Sequence, residues 1–409
     1  MRLAVGSMIP RGAKRVAVAA SGGGDSMALL DLARAACAER AVDLAAVSVN
    51  HGLRAEAADE AALVAAYCAT HDIPHHILQW DGKAARGNLM AQARAARYRL
   101  IAEWARGADM ACVMLGHTRD DQAETLLMAL SRAAGLDGLS GMDQRFARDG
   151  MTFTRPLLAA SRDDLRAYLR AQGLRWADDP SNDDPAFERV RMRKALPMLA
   201  ELGITPQALA TTADAARMGL GAVRLAVMRA IPQAVAFEAG DVILRLNPRD
   251  MIAPEVERRL TLAALAYVSG SRQPVRATAL AQLEAGLLSR AKHTLAGCVI
   301  TRAPRGETRF TREAAAAGAP VPMDRTWDGR WRITGPDLAG AQVRALGHKG
   351  LPQCPDWRAT GLPRDSLLAA PALWQGDVLI SAPLAGFSNG YCAQDLRNPA
   401  DFASLPLSH

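Results

Sequence analysis

Closely spaced cysteines and long apolar runs are both missing from this sequence. Its six cysteines are Cys37, Cys68, Cys112, Cys298, Cys354 and Cys392. No two form a C-x-x-C pair, which excludes a zinc knuckle and a paired redox site, and scattered cysteines are typical of a reducing compartment. No run approaches the roughly 20 apolar residues that cross a bilayer, and residues 1–20 reach a Gly-rich loop before a secretory segment could finish. We therefore expect a cytoplasmic protein.

Two familiar nucleotide-binding patterns are also absent, although a Gly-rich segment, S-G-G-G-D-S, is present at residues 21–26. No Lys follows its glycines, so the Walker pattern G-x-x-x-x-G-K-[ST] does not fit. Met27 stands where the dinucleotide pattern G-x-G-x-x-G needs its last glycine. These differences exclude the two commonest phosphate loops without excluding phosphate binding itself.

Positive charge is distributed unevenly along the 409 residues, which carry a net charge of +7. Residues 1–215 contain 26 basic and 26 acidic residues, whereas residues 216–409 contain 23 basic and 16 acidic ones. The whole excess of basic residues lies in the second half. This distribution suggests that the first half carries out the chemistry and the second half binds a polyanion. A generally Arg-rich protein surface would give the same pattern, so charge alone leaves both interpretations open.

Strand and helix patterns alternate in the first half of the chain. The predicted strands are 15–20, 44–49, 76–80 and 110–115, and the predicted helices are 27–40, 57–71, 91–106 and 120–131. This alternation predicts an α/β fold with a doubly wound, mostly parallel sheet that is covered on both faces. Ligands of such sheets bind at the carboxyl ends of the strands, so polar residues at those ends are the candidates for a site.

The pattern changes after about residue 197, which indicates further domains. Ala/Leu/Arg-rich helices dominate the next hundred residues, apart from a β-rich passage near 296–302. Residues 314–322 concentrate Ala, Gly and Pro, as a linker would, and short strands follow. The predicted domains are a catalytic α/β domain at 1–200, a mainly helical domain at 201–320 and a small α/β domain at 321–409.

Residues 21–26 have the composition of a phosphate-binding loop. Glycines between a buried strand and a helix let backbone N–H groups approach an anion, and the helix dipole adds positive character. The hydroxyls of Ser21 and Ser26 can donate to phosphate oxygens. Asp25 would repel a phosphate unless a divalent cation bridges the two, so its presence points to Mg²⁺. A bare Gly-rich turn, by contrast, is often purely structural.

Polar residues follow two more of the predicted strands. His51 and Arg54 come after the second strand, and His117 follows the fourth. Asp121 and Glu124 lie one turn apart on the helix predicted from residue 120. Two carboxylates that converge on one pocket can hold Mg²⁺ or bind an ammonium group. Acidic residues in a first helical turn often merely complement the helix dipole, and a lone His is more often structural than catalytic.

Two sets of cationic residues share predicted helix faces. Arg94, Arg97 and Tyr98 stand at i, i+3 and i+4, a spacing that an exposed arginine stripe would also show. Arg189 and Arg193 share a face of a later helix, where they could contact either a phosphate or the acidic pair. The spacing alone does not distinguish these alternatives.

Seven short motifs, taken in order, resemble those of the tRNA(Ile)-lysidine synthetases, which belong to the PP-loop ATP pyrophosphatases. The family motifs SGGxDS, NHxLR, ARxxRY, HxxDDQxET, RPLL, DxSN and RNxxR correspond to residues 21–26, 50–54, 93–98, 117–125, 155–158, 179–182 and 189–193. The resemblance extends along nearly the whole chain. Val190 replaces the family's Asn and Met90 stands where an acidic residue is common, but neither departure touches the phosphate loop.

The resemblance implies a reaction in which ATP, L-lysine and the wobble cytidine of a tRNA(Ile) with a CAU anticodon give lysidine, AMP and pyrophosphate. Lysine must attack as a neutral amine, although the free pKa of its ε-ammonium is about 10.4. The basic second half would bind the tRNA through phosphate contacts. No membrane partner is expected, and a homodimer is left open.

The resemblance also assigns roles to individual residues. The expected ATP-binding residues are Ser21, Gly22, Gly23, Gly24, Asp25, Ser26, His51 and Arg54. Asp25 would hold Mg²⁺, and the lysine carboxylate would be bound by Arg94 or Arg97. The expected substrate-binding residues are Arg94, Arg97, Asp121, Glu124, Arg189 and Arg193. The expected catalytic residues are Asp25, Arg97, His117, Asp121 and Glu124.

Three other functions share part of this pattern. A tRNA thiolase uses similar ATP chemistry, but many thiolases have the paired cysteines or the cluster that this sequence lacks. A PP-loop amidotransferase or NAD synthetase needs no RNA, which the basic second half argues against. A plain RNA-binding module would not need polar clusters along one sheet edge, and no RNP1 motif is present.

Overall fold

A computed structural model of the chain describes residues 1–50, 57–80, 89–178, 184, 186–246, 252–271, 273–289, 292–303 and 306–407. The chain divides into two compact units, Met1–Leu220 and Gly221–His409. The division falls inside a long helix, Pro206–Ala234. Within the described ranges, no helix is long and apolar enough to cross a membrane.

The first unit alternates helices and strands, as the sequence predicts. Its helices are α1 (Arg2–Met8), α2 (Gly24–Ala38), α3 (Ala57–Thr70), α4 (Leu89–Gly107), α5 (Arg119–Ser131), α6 (Leu136–Leu139), α7 (Arg162–Ala171), α8 (Glu188–Glu201) and the first part of α9 (Pro206–Ala234). Its strands are β1 (Arg15–Ala19), β2 (Asp43–Asn50), β3 (His75–Gln79), β4 (Val113–Leu115), β5 (Arg145–Arg148) and β6 (Met151–Thr154).

These six strands form one sheet in the order β3-β2-β1-β4-β6-β5. All neighbours run parallel except β5, which pairs antiparallel with β6. The chain moves outward from β1 to β3 and then returns through α4 to β4 on the other side of β1. The strand order therefore reverses between β1 and β4, and α/β sheets bind ligands at the carboxyl ends of such strands. The predicted fold class of this unit is confirmed.

Strand β1 is buried on both faces of the sheet. Val16 and Val18 belong to the apolar core formed with side chains of α2, α3 and α7. Ala17 and Ala19 pack with side chains of α4 on the opposite face. All four residues are at most 2% exposed. This double burial explains why β1 is a continuous apolar run instead of an alternating one.

The predicted element boundaries differ from the observed ones by a few residues. Helix α2 begins at Gly24 and not after the loop, so Asp25 lies in its first turn. Strand β4 begins at Val113, because Met110 N still donates to Ala105 O and closes the turn that ends α4. Asp109 lies in that turn with a φ of 52°, a left-handed conformation that no strand can contain.

The second unit contains more strands than the sequence indicated. Its helices, after the end of α9, are α10 (Pro254–Ser269), α11 (Ala277–Ser289), α12 (Gly347–Gly350), α13 (Arg364–Leu368) and α14 (Pro399–Phe402). Its strands are β7 (Val235–Glu238), β8 (Asp241–Arg245), β9 (Lys292–Leu295), β10 (Cys298–Arg302), β11 (Glu307–Arg312), β12 (Val321–Pro322), β13 (Trp331–Thr334), β14 (Gln342–Ala345), β15 (Pro371–Gln375), β16 (Val378–Ser381) and β17 (Cys392–Asp395).

These strands form antiparallel sheets. Five of them follow the order β7-β8-β11-β10-β9, and the β-rich passage predicted near 296–302 is only the part around β10. The later strands form a four-stranded sheet, β12-β14-β15-β16, and the pair β13-β17. The region predicted as mainly helical thus combines α9, α10 and α11 with a sheet, while mixed helices and strands follow residue 321.

Polar contacts join the two sides of the predicted linker, residues 314–322. Arg330 Nη1 and Arg397 Nη2 donate to Gly240 O, in the turn between β7 and β8, over 3.0 and 3.2 Å. Ser366 Oγ donates to the buried Asp241 Oδ2 over 2.5 Å. These residues all belong to the compact unit Gly221–His409. The three domain limits derived from the sequence remain predictions.

Candidate active site

Residues 21–26 connect β1 to α2, where the sequence predicts a phosphate-binding loop. Gly23 is the N-cap of α2 and provides no side-chain hydrogen bond to the first turn. The N–H groups of that turn are therefore available to an anion, as at other helix N-termini that bind phosphate. Ser26 Oγ accepts from Ser21 N over 3.1 Å and donates to Gly23 O over 2.9 Å. These bonds give the loop its closed form.

Close contacts surround this loop. Gly22 has a φ of 83°, and a Cβ on it would lie 2.7 Å from Glu60 O. A Cβ on Gly116, just after β4, would lie 3.1 Å from the carbonyl of Asp25. Ala177 N donates to Gly22 O over 2.9 Å, so the segment after α7 also contacts the loop. Only glycine fits at Gly22, a side chain at Gly116 would need the loop to shift by a few tenths of an ångström, and the end of β4 packs directly on the loop backbone.

Asp121 and Glu124 lie near the start of α5, and both carboxylates are buried. Thr118 is the N-cap of α5, and its N and Oγ1 donate to Asp121 Oδ2 over 2.7 and 2.9 Å. Asp121 is 8% exposed and Glu124 is 0% exposed. Helix capping therefore explains why Asp121 Oδ2 is buried. It does not explain the burial of Asp121 Oδ1 or of the Glu124 carboxylate.

Arg162, the first residue of α7, connects three carboxylates. Its Nη1 donates to Glu124 Oε1 over 2.8 Å and its Nη2 to Asp121 Oδ1 over 2.5 Å. Its Nε lies 3.5 Å from Asp25 Oδ2 in the phosphate loop. The backbone N–H of Arg162 donates to Asp120 Oδ2 over 2.9 Å. No role for Arg162 was predicted from the sequence, although a cation in the first turn of a helix opposes the helix dipole and is therefore unusual there.

Two arginines of α8 contact the same carboxylates. Arg189 Nε donates to Glu124 Oε2 over 2.6 Å and Arg189 Nη2 to Asp121 Oδ1 over 3.2 Å. Arg193 Nε donates to Glu124 Oε1 over 2.8 Å. The sequence left open whether Arg189 and Arg193 contact a phosphate or the acidic pair. In the structure they contact the acidic pair. Val190 lies between them with 5% exposure, so an apolar residue suits that position.

We call these five residues the acid–arginine cluster: Asp121, Glu124, Arg162, Arg189 and Arg193. Burial alone would raise the pKa of Asp121, but Arg189 and Arg162 outweigh it and lower that pKa to about 2. Burial would also raise the pKa of Glu124, and hydrogen bonds from Arg162 and Arg193 lower it instead. Both carboxylates are therefore ionised at neutral pH.

Asp25 has the opposite electrostatic surroundings. Burial and repulsion by Asp121 raise its pKa from 3.8 to about 6, and Arg162 and Arg166 only partly oppose them. Its carboxylate thus faces a site with too little positive charge to balance it fully. A divalent cation brought in with a nucleotide would supply that charge.

His117 follows β4 beside the acid–arginine cluster. Its Nδ1 accepts a hydrogen bond from Arg155 Nε over 3.2 Å. Burial lowers the pKa of His117, Asp121 opposes that effect, and Arg155 and Arg189 add to it, so that the pKa is about 3. The imidazole is therefore neutral at physiological pH.

The arginines predicted to hold the lysine carboxylate lie on α4. The guanidinium of Arg94 is 5.7 Å from the centre of the Tyr98 ring, and Tyr98 itself is 6% exposed. Burial lowers the pKa of Arg97. In the described part of the chain, neither arginine forms an ion pair with a carboxylate. Their assignment to the lysine carboxylate stays a prediction.

Two predicted parts of the site lie outside the described residues. His51 and Arg54, assigned to ATP, come after β2 in the sequence, and the motif at 179–182 comes before α8. Among the described residues, the structure brings together Asp25, His117, Asp121, Glu124, Arg189 and Arg193. The residues that sequence reasoning gave no individual role are Arg155 and Arg162.

The chain is similar to a known protein family and to several known proteins along most of its length. A family model described as a PP-loop domain matches residues 3–199. A tRNA(Ile)-lysidine synthase of Ruegeria pomeroyi is 42% identical over 397 residues, which cover 97% of this chain and 94% of the relative. That of Brucella anthropi is 33% identical over 96% of this chain and 90% of the relative. That of Bradyrhizobium sp. strain BTAi1 is 41% identical over 75% of this chain and 86% of the relative.

Among solved structures, a U34-tRNA thiolase from Methanococcus maripaludis is similar at a TM-score of 0.44 and 16% identity, over 52% of this chain and 76% of that one. The sequence relatives extend much further, through both compact units. The match to the PP-loop domain, residues 3–199, covers the phosphate loop and the acid–arginine cluster. The chain therefore belongs to the tRNA(Ile)-lysidine synthase family.

Proposed function

We propose that this protein joins L-lysine to C2 of the wobble cytidine of a tRNA(Ile) with a CAU anticodon, using ATP and releasing AMP and pyrophosphate. One observation carries the proposal: the phosphate loop without a lysine lies beside the acid–arginine cluster, with Arg162 between them. Arg162 Nε is 3.5 Å from Asp25 in the loop, and its other nitrogens bind Asp121 and Glu124. A nucleotide on the loop would thus have its α-phosphate near ionisable groups of the second substrate's site.

The chemistry needs two displacements. The C2 carbonyl oxygen of cytidine attacks the α-phosphorus of ATP, and pyrophosphate leaves. The ε-nitrogen of lysine then attacks C2, the C2–O bond breaks, AMP departs with that oxygen, and the amine loses a proton. The target base must leave its stack to reach such a site, as in other base-modifying enzymes.

The loop residues have the types that bind the nucleotide. Ser21 supplies a hydroxyl, Ser26 already donates its hydroxyl to Gly23 O and so maintains the loop, and the first turn of α2 supplies N–H groups without a side-chain cap. Asp25 fits the role of a Mg²⁺ ligand, because Mg²⁺ commonly takes one or two protein carboxylates and completes its shell with phosphate oxygens and water. In the described residues no three acidic, His or Cys side chains converge as a separate metal site. The metal would neutralise charge on the phosphates.

Lysine binding at the acidic pair requires one change in the cluster. Each oxygen of Asp121 and Glu124 already accepts a hydrogen bond from an arginine or from Thr118. Because Glu124 is also fully buried, an ammonium group could reach it only where a guanidinium moves away. Arg189 and Arg193 are 30% and 32% exposed, whereas Arg162 is 17% exposed. We infer that lysine displaces an arginine of α8 and that Arg162 stays in place.

The tRNA would be bound mainly by the second half of the chain. The excess of basic over acidic residues after residue 215, 23 against 16, favours contacts with phosphates. Such contacts position an RNA without reading its bases. Discrimination of the wobble base then belongs to the site in the first unit.

The proposal is tested by incubating the protein with ATP, labelled lysine and tRNA transcripts, followed by digestion to nucleosides. A tRNA(Ile) with a CAU anticodon should gain lysidine, and a methionine tRNA with the same anticodon should not. AMP and pyrophosphate should each form in an amount equal to that of lysidine. Release of ADP and phosphate would contradict the PP-loop chemistry, and incorporation of sulfur in place of lysine would identify a thiolase.

A further inference from the structure

Arg155 begins the RPLL segment at 155–158, to which the sequence gave no individual role. The residue is 7% exposed. Its Nη1 donates to Asp143 O over 2.6 Å, and its guanidinium lies 4.1 Å from the centre of the Phe146 ring. Its Nε donates to His117 Nδ1 over 3.2 Å. The guanidinium is thus held from three sides, and one N–H is fixed on the histidine.

This contact determines where His117 carries its proton. A guanidinium has only donors, so the ring nitrogen that faces it must present a lone pair. In the neutral imidazole the proton then resides on Nε2. A second proton on Nδ1 would set two N–H groups against each other and place two cations in contact. The low pKa of His117, about 3, agrees with this geometry.

Other charged groups face the ring as well. Asp121 attracts a proton to His117, while Arg189 from α8 and Arg94 from α4 repel it. The oxygens of Asp121 are already bound by Thr118, Arg162 and Arg189. In the described part of the chain, the ring has no hydrogen bond besides that from Arg155. Its Nε2–H is therefore free to donate to a substrate.

We propose that Arg155 is a positioning residue that fixes His117 in the Nε2–H tautomer, so that His117 donates a hydrogen bond to a substrate oxygen and does not act as a general base. This step rests on the proposed function for the identity of that oxygen, which is a phosphoryl or C2 oxygen of the adenylated cytidine. A fixed donor stabilises negative charge that develops on such an oxygen. The proton of the attacking amine must then leave by another route.

The tautomer can be read directly by ¹⁵N NMR on the full-length protein labelled at histidine, without any substrate. The signals of His117 are assigned by their loss in His117→Gln. Wild-type protein should show an unprotonated Nδ1 and a protonated Nε2 that do not titrate between about pH 6 and 8, the range in which an ordinary histidine changes charge. A protonated Nδ1, or titration in this range, would overturn the proposal.

Variants at 155 separate positioning from folding. Arg155→Met keeps much of the side-chain volume but removes the donor, so His117 should show both tautomers, while burial still keeps its pKa low. Arg155→Lys keeps a cationic donor and should restore the wild-type signature at least partly. Arg148→Met is the matched control, since Arg148 stacks at 4.5 Å on Tyr98 of the same aromatic group. An unchanged His117 signature in folded Arg155→Met would overturn the proposal.

An activity measurement separates this inference from the proposed function. With tRNA and ATP, Arg155→Met should lower kcat for AMP formation about 10-fold and leave the KM for ATP nearly unchanged; this is less than the roughly 100- to 1,000-fold loss on removing a transition-state donor, because part of the His117 population keeps its Nε2–H. In a His117→Gln background the same change at 155 should add little, because no ring nitrogen remains to be fixed. Equal losses of kcat in the wild-type and His117→Gln backgrounds would overturn the proposal that Arg155 acts through His117. If wild-type protein makes no lysidine, the proposed function fails while the NMR result still decides the tautomer.

Discussion

Arg162 Nη1 donates to Glu124 Oε1 over 2.8 Å and thereby joins the N-terminus of α7 to the buried face of α5. Glu124 has no solvent exposure, so its charge depends entirely on arginines for compensation. The same Arg162 reaches toward Asp25 in the phosphate loop. One side chain therefore couples the nucleotide loop to the acidic pair.

Replacing Arg162 should affect both stability and catalysis. Arg162→Gln leaves Glu124 buried with two arginines in place of three, and we expect a loss of ~2–3 kcal/mol in the free energy of unfolding. AMP formation should fall about 100-fold, because the loop and the acidic pair lose their fixed separation. Urea unfolding and product analysis measure the two effects. Arg99→Gln is the control, since Arg99 and its partner Glu103 are 62% and 55% exposed and the pair should contribute at most ~1 kcal/mol.

Asp25 should be essential for adenylation but not for tRNA binding. Asp25→Asn retains the side-chain shape and removes the charge that would hold Mg²⁺. We expect AMP and pyrophosphate release to be lost, while filter-binding affinity for tRNA is unchanged. Near-normal turnover of this variant at low Mg²⁺ would show that the metal has a different ligand.

The same substitution should stabilise the protein above pH 6. The pKa of Asp25 is raised from 3.8 to about 6, so the folded state holds this proton more tightly than the unfolded state. The contribution of the group is fully present below pH 3.8 and is lost as the pH rises through about 6. Asp25→Asn should therefore gain ~1–3 kcal/mol at about pH 8 and much less at about pH 4. Urea unfolding at both pH values measures this, and an equal gain at both would exclude Asp25 as the cause.

Glu124 should be needed more for lysine than for ATP. Glu124→Gln is preferred to a change at Asp121, which also caps α5. Loss of a charge-assisted bond worth ~2–3 kcal/mol should raise the KM for lysine about 30- to 150-fold. Adenylation measured without lysine should change less. Glu103→Gln, at an exposed position of α4, is the matched control. Lost adenylation with an unchanged lysine KM would instead assign the pair to the nucleotide.

The salt dependence of tRNA binding should depend on the second unit. A fragment that ends at Leu220 is preferable to one that ends near residue 200, because Leu209 and Ala213 of α9 pack on α5. After its folding is checked by circular dichroism, this fragment should still bind ATP. Each lost phosphate contact should reduce the log–log salt slope for tRNA by about 0.9 on duplex regions. Equal slopes for fragment and full-length protein would place the RNA contacts in the first unit, with Arg191 as a candidate.

The sequence predicts those features of the structure that depend on a local pattern of residues. The continuous apolar run of β1, the spacing of Asp121 and Glu124, and the shared face of Arg189 and Arg193 were all predicted and are observed. Five of the six cysteines are buried, as expected for isolated cysteines in a reducing compartment. These features depend on neighbours within one or two helical turns.

Features that depend on distant parts of the chain were missed. Arg162 acquires its role only when α7 packs beside α5, and no spacing rule connects it with Glu124. The hairpin of β7 and β8 was also overlooked. Its turn residues, Ala239 and Gly240, have φ values of 49° and 85°, and this left-handed pair is usually signalled by Asn-Gly or Asp-Gly. Because Ala239 occupies the first of these two positions, the usual Asn-Gly or Asp-Gly pattern is absent from the sequence.

The bond from Ala177 N to Gly22 O has a consequence for protein synthesis. The loop that would bind ATP lies within the first 26 residues to be translated. Ala177, which donates a hydrogen bond to it, is translated about 150 residues later. At elongation rates of about 5–20 residues per second, the ribosome needs roughly 8 to 30 seconds to supply it. During that interval the nascent chain contains the complete loop sequence without its final shape. Nucleotide affinity should therefore appear late in translation, once α7 and the segment after it have left the exit tunnel.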